Sequence, residues 1–174
     1  MLRLTIVVTA LLFSCAPGTA HAQQPAAGRG IPPARPAGVD ITTAERLVTA
    51  AAAAAKAAGA SVAVAVIDVN GDLVAFKRMD GASPQAVTSS QGKARAAILF
   101  GLPTKVIQDA AAAGRPLSVT VTMPAPLAGA QELTPFQGGL PIMKDGKIIA
   151  GIGVGGSAPP NDEIFAQAAI DAIK

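Results

Sequence analysis

LPIMKDGKIIAGIGVGG, residues Leu140–Gly156, decides the fold. Its last six residues match G-x-G-x-x-G and follow an apolar run, as a dinucleotide-binding fingerprint in a parallel βαβ unit would. Such a fingerprint opens directly into a helix, and here Pro159-Pro160 delay one. Asp145-Gly146 also lies between two apolar runs, which is the signal for a two-residue β-hairpin turn. On that reading the glycines belong to the returning strand of a hairpin, lying close to a neighbouring element because they carry no side chain.

A second hairpin stands upstream in SVAVAVIDVNGDLVAFKRM, Ser61–Met79, turning at Val69-Asn70-Gly71-Asp72. Asn and Gly both accept positive φ, so the pair between apolar runs marks the turn. The first run is almost wholly apolar, which predicts a central strand covered on both faces. Helices fill the rest. Thr42-Thr43-Ala44-Glu45 has capping-box spacing ahead of an Ala-rich run to Ala58, with Leu47, Ala51, Ala54 and Ala58 on one face and Gly59 as the stop. Ser83-Pro84 starts a helix to Phe100, and Thr104 is read as the cap of a shorter one to about Ala113. Leu117–Met123 alternates as a strand, and Pro124–Gly139 reads as loop. Asn161-Asp162-Glu163 is read as the cap of a last helix, with carboxylates at its positive dipole end and Ile164, Phe165, Ala168, Ala169, Ala172 and Ile173 buried. Hairpins in place of alternating βα units predict an antiparallel sheet with helices packed on it, an α+β domain.

The chain opens MLRLTIVVTALLFSCAPGTAHA: one Arg3, an apolar run from Leu4 to Phe13, then small residues ending Ala20-His21-Ala22. That layout predicts a secretory signal peptide, residues 1–22, cleaved after Ala22, with a lipoprotein signal at Cys15 as the alternative. The apolar run is too short to span a bilayer. A Pro/Gly-rich leader, 23–38, then precedes a single domain, 39–174. Cleavage after Ala22 removes the only His and the only Cys, and the chain has no Trp or Tyr. Disulfide frameworks, Cys/His zinc sites and Ser-His-Asp or Cys-His machinery are thereby excluded. Without Arg3, 13 basic face 11 acidic side chains, with no basic clusters or aromatic platforms for nucleic acid. The compartment expected is periplasmic or secreted.

Few residues stand out as chemistry. Arg78, at the end of the first hairpin, could hold a carboxylate, and Met79 could face a pocket; both also read as a strand end before the Asp80-Gly81 turn. Lys93, on a helix of small residues, could pair with an anionic ligand or lie on a solvated face. Asp68, Asp72, Asp80, Asp145 and Asp162 are turn or cap residues without EF-hand spacing.

VAVIDVNGDLVAFKRMDGA (Val64–Ala82), then Gly92-Lys93-Ala94, Pro103-Thr104, GGLPI (Gly138–Ile142) and GIGVGG with Asp162 resemble, in order, the GlcG/HbpS haem-binding family. The resemblance runs from about Ile41 to Lys174. It implies a five-stranded antiparallel sheet flanked by helices, in profilin- or roadblock-like layering, and homo-oligomers, often dimers assembling into rings. It implies haem or a related tetrapyrrole as ligand, and binding rather than catalysis, although some members are associated with haem degradation. The family's haem region matches Lys93–Thr104, with Thr104 foremost. Met79, Met123, Met143 or a lysine are then the available iron ligands, Phe100 or Phe136 the ring contacts, and Arg78 or Lys93 the propionate partners. A non-catalytic assembly module and an enzyme on small hydroxy- or oxo-acids are the alternatives.

Overall fold

The computed structural model describes residues 38–115 and 133–174. The signal segment, nearly all of the leader, the Leu117–Met123 strand and Met123 itself fall outside the described residues.

Both hairpins form. The first joins β1 (Ala63–Asp68) to β2 (Leu73–Arg78), and the second joins β3 (Gly139–Lys144) to β4 (Lys147–Gly155). β1 and β4 pair antiparallel, giving the order β2-β1-β4-β3. Among the described residues the sheet has four strands, not five. The helices are α1 (Ile41–Ala57), α2 (Pro84–Phe100), α3 (Thr104–Ala112) and α4 (Pro159–Asp171). None of these is long and apolar enough to cross a membrane.

The two turns are built differently. Asp145 and Gly146 both have positive φ, 50° and 72°, as a type I′ turn requires. In the first hairpin Gly71 takes positive φ but Asn70 does not. There the Asp68 carboxylate organises the turn, accepting from the Asn70 and Asp72 N–H groups at 2.8 and 3.0 Å. Each returning strand also carries one extra residue near its turn, Val74 and Ile149, where the register shifts.

The sheet has two unlike faces. On one, Val62, Val64, Val66, Ile142, Ile152 and Val154 meet Leu47, Val48 and Ala51 of α1 and Phe165, Ala166 and Ala169 of α4. On the other, Gly151, Gly153 and Gly155 alternate with those large residues and face α2. An ideal Cβ on Gly151 would come within 2.5 Å of the Ala94 carbonyl oxygen; on Gly153 it would overlap the Ser90 carbonyl, and on Gly155 the Ser89 hydroxyl. The glycine-rich run is a strand on which a helix lies backbone to backbone, and not a nucleotide loop. β1 is buried along nearly its whole length, as its unbroken apolar run predicted.

Helix ends show where local reading failed. α2 runs from a Ser83 cap, whose hydroxyl accepts from Ala86 N–H, to Gly101, as predicted. The cap of α1 is Asp40 and not Thr42: its carboxylate accepts from Thr43 N–H at 2.8 Å. The buried face of α1 runs through Ala44, Ala51, Ala52 and Ala55, leaving Ala58 exposed. α3 is preceded by Pro103, and Thr104 turns inward instead of capping. α4 starts at Pro159, with both prolines in its first turn, where a missing N–H costs nothing. Ile164, predicted buried, is 61% exposed.

The close approach of α2 to β4 makes a direct prediction. Gly153→Ala places a methyl group against the Ser90 carbonyl and is expected to destabilise the domain by about 1–3 kcal/mol or more. Ile164→Gln, on the solvent side of α4, is expected to change stability by less than about 0.5 kcal/mol. Urea unfolding midpoints measure both.

Candidate functional site

Ala86, Ser90, Ala94 and Ala97 form the small-residue face of α2, and Lys93 is buried beside them. It is 4% exposed, so the solvated-face reading does not hold. Its Nζ donates to the Val154 carbonyl at 2.9 Å and to Asp162 Oδ2 at 2.7 Å. Asp162, 1% exposed, also accepts at Oδ1 from the Ser157 N–H at 3.1 Å. Asp162 therefore reaches back from the first turn of α4 and joins that helix to α2 and the end of β4. Gly138 makes room for the pair: it has φ 122°, and a Cβ there would lie 2.7 Å from Asp162 Cβ and 2.9 Å from Lys93 Nζ.

Burial pushes the Asp162 carboxyl above the usual carboxylate range; the hydrogen bond and charge of Lys93, and the Ser157 N–H, pull it back only in part. Desolvation outweighing the ion-pair attraction is the common condition of buried pairs.

Above the pair opens a cleft of about 340 Å³. One wall is the start of α2, with Ser83, Thr88 and Ser89; the other is Gly156, Ser157 and Pro159 at the start of α4. Thr134 and Phe136 close the third side. Thr134 is buried, and its Oγ1 has no hydrogen-bond partner among the described residues. Phe136 stands on the rim, 58% exposed. A larger, shallower groove of about 400 Å³ passes Thr42, Arg46 and Ala172 on α1 and α4 and contains none of the predicted site residues.

Of those residues, Lys93 and Phe136 line the cleft. Thr104 is fully buried, and its hydroxyl accepts from the Gly139 N–H at 2.8 Å and donates to the Gly139 carbonyl at 3.3 Å, docking α3 on β3. Arg78 donates from Nε to the Ala82 carbonyl at 3.0 Å, one residue before Ser83 of the cleft. Met79 is half-buried against the main core. Phe100 is half-buried at the end of α2, outside the cleft lining. Met123 lies outside the described residues, and Met143 is 54% exposed near the β3–β4 turn. Thr134 and the role of Asp162 were missed by sequence reading. A signal for Lys93 did exist: it sits within the buried small-residue stripe of α2, where a cation needs a partner.

A model of the family described as haem degrading protein HbpS-like matches residues 39–171. Protein GlcG of Escherichia coli (strain K12) is 42% identical over 93 residues, covering 53% of this chain and 63% of GlcG, so the match spans less than two thirds of that relative. The crystal structure of a double mutant of Streptomyces reticuli HbpS superposes with a TM-score of 0.67 at 30% identity, covering 88% of this chain and 99% of that one. The crystal structure of the PduOC:heme complex superposes with a TM-score of 0.68 at 25% identity, covering 79% and 96% respectively.

Lys93→Met leaves Asp162 buried and unpaired, with an expected loss of about 3–5 kcal/mol near neutral pH. The native carboxyl already titrates above its ordinary value of 3.8, and loss of Lys93 raises it further. The native state then binds a proton more readily than the unfolded chain, so the variant regains stability as pH falls through the raised value towards 3.8. Urea midpoints at about pH 7.5 and about pH 5 measure this; an equal deficit at both would contradict it. Adding Asp162→Leu to Lys93→Met is expected to recover most of the loss.

Proposed function

Because the chain belongs to the HbpS-like family, we propose that it is an exported, non-catalytic protein that binds haem or a related flat, anionic tetrapyrrole. Family membership and the likeness to the PduOC:heme complex support this reading. The geometric observation that carries it is the exposed aromatic on the cleft rim: Phe136 at 58%, with Leu133 of the same loop at 43%. Gln108 of α3 holds this loop, accepting from the Gln137 N–H at 2.8 Å, so the aromatic face stands on a supported backbone. A macrocycle lying flat on Phe136 would gain apolar and stacking contact.

The cleft beneath does not itself fit an iron-ligated haem. None of the described residues lining it is His, Cys, Met or Tyr, the usual protein ligands. Its floor is a neutral ion pair and its walls bear hydroxyls. Lys93 is committed to Asp162, which leaves Arg78, exposed at the end of β2, as the propionate partner among the predicted residues. Met123 stays in the proposal as a thioether candidate. The reading therefore places the ligand on the outside of the domain, held by its faces and carboxylates.

Homo-oligomers are part of the same proposal. β2 and β3 are the edges of the sheet among the described residues, and Leu73 on β2 is 46% exposed. An exposed apolar edge strand is a natural place for a second copy to pair.

A hemin titration followed at the Soret band tests the ligand. A saturable shift at micromolar protein is expected, weakened about tenfold by Phe136→Ser; no saturable shift in the parent protein would sink the reading. Export is tested by N-terminal sequencing of protein recovered from the periplasm or medium. A start at Gln23 is expected, and a start at Cys15 would replace simple cleavage by lipid anchoring.

A further inference from the structure

We propose that Asn70, in the turn of the first hairpin, is a site of spontaneous deamidation, and that Asp68 shields it by holding both of the atoms that must react. The site lies at the opposite end of the sheet from the cleft and does not depend on the haem reading.

The sequence supplies the reactive pair. The chain has two asparagines, Asn70 and Asn161, and only Asn70 is followed by glycine. Attack by the next residue's backbone nitrogen on a carboxamide is least hindered where that residue has no Cβ. The chemistry needs only water as co-reactant. Gly71 N bonds to Asn70 Cγ, the Cγ–Nδ2 bond breaks, and Nδ2 leaves as ammonia with the proton given up by Gly71 N. Water then opens the cyclic imide. Opening at Cγ leaves an aspartate on the ordinary backbone. Opening at the main-chain carbonyl leaves an isoaspartate, whose backbone runs through the side chain and is longer by one carbon.

In the folded hairpin both reacting atoms are held by one residue. The Gly71 N–H donates to the Asp68 carbonyl at 3.0 Å, and Asn70 Nδ2 donates to Asp68 Oδ2 at 3.1 Å. Asp68 Oδ1 is fixed in turn, accepting from the Asn70 and Asp72 N–H groups. The Asp68 N–H donates to the Asp72 carbonyl at 2.9 Å, which closes the base of the loop. Attack requires the carboxamide to leave Asp68 Oδ2 and swing over Gly71 N while that nitrogen leaves the Asp68 carbonyl. Both bonds must therefore break in the same opening, and the one to the carboxylate is the stronger. Asn70 is exposed, so access of water does not limit the reaction; opening of the turn does. The other hairpin turns on Asp145-Gly146 and has no carboxamide to lose. Reaction at Asn70 replaces the Nδ2 donor by a carboxylate facing Asp68 Oδ2. An isoaspartate there also lengthens a turn beside which the β1–β2 register already shifts.

Mass spectrometry of the tryptic peptide 57–77, taken from full-length protein incubated at neutral pH, measures the rate. Asn161 is the internal comparison. Deamidation at Asn70 ahead of Asn161 is expected in urea-unfolded protein, and at least about tenfold more slowly in the folded protein, where the open fraction sets the rate. Asp68→Ala is expected to raise the folded rate at least about tenfold and to leave the rate in urea unchanged. Asp68→Asn keeps an acceptor for the Asn70 and Asp72 N–H groups and removes only Oδ2. It is also expected to react faster than the parent, and it carries the test if Asp68→Ala does not fold. Gly153→Ala weakens the core and leaves the turn intact, so its folded rate should match the parent. Equal rates in folded and unfolded protein, no acceleration by the Asp68 variants, equal acceleration by Gly153→Ala, or Asn161 reacting first in urea would each overturn the proposal. None of these readouts involves hemin, so the two readings fail separately.

Discussion

The structure depends on one close approach, the backbone of α2 laid against the backbone of β4. It is possible because β4 presents no side chain at every second position, at Gly151, Gly153 and Gly155. The helix answers with Ala86, Ser89, Ser90 and Ala94, so neither partner holds the other away. The constraint extends to the neighbouring strand, where a Cβ on Gly139 would overlap the Lys93 carbonyl. A period of two then puts Ile152 and Val154 on the opposite face, where α1 and α4 stand off far enough for large side chains. One strand thus makes two kinds of packing. In such close-packed layers, added volume on the glycine side has nowhere to go.

Lys93 interrupts the small-residue face of α2, and the surroundings are arranged around that interruption. Its side chain passes Gly138 to reach the Val154 carbonyl and Asp162, so α2, the end of β4 and the first turn of α4 share one buried pair. Such a pair is poor evidence of stabilisation, because desolvating two charges offsets their attraction and an apolar replacement can serve as well. The upward push of burial on Asp162 says the same in terms of protons. What the pair supplies that an apolar cluster would not is a polar floor under an open cleft, at the sheet end where three elements converge.

Features encoded by residues close in sequence were legible. Asp145-Gly146 and Asn70-Gly71 marked both hairpins, Ser83-Pro84 marked the start of α2, and the unbroken Val and Ala run marked β1 as central. Where two local solutions competed, sequence reading chose wrongly. The spacing from Thr42 was read as the cap of α1, but the Asp40 carboxylate, two residues earlier, takes that place. Thr104 looked like a cap because of its position after Pro103, but its hydroxyl is engaged by Gly139, 35 residues away. The candidate site was hidden for the same reason. Lys93 and Asp162 are separated by 69 residues, and Thr134 meets Gly92 only through the fold. Sequence reading left Lys93 between an anionic ligand and a solvated face; the small-residue stripe of α2 could have marked it as a core-side cation, but not named its partner.

The contrast between rim and floor bears on how ligand chemistry is carried by this fold. Membership of the HbpS-like family accounts for the layering, which rests on glycines and small residues in β4 and α2. Ligand chemistry rests on different residues, those placed at the end of the sheet once the layers are set. In this chain the rim is apolar through Phe136, and the floor is a neutral pair beside the buried Thr134, whose Oγ1 has no hydrogen-bond partner among the described residues. A flat, carboxylate-bearing ring needs apolar area and peripheral cations, a demand that the rim answers and the closed floor does not. Rim and floor stay distinct because the glycine-set approach of α2 fixes the Lys93 backbone while the 133–138 loop, held to α3 through Gln108, carries Phe136 outward and Thr134 inward against Gly92.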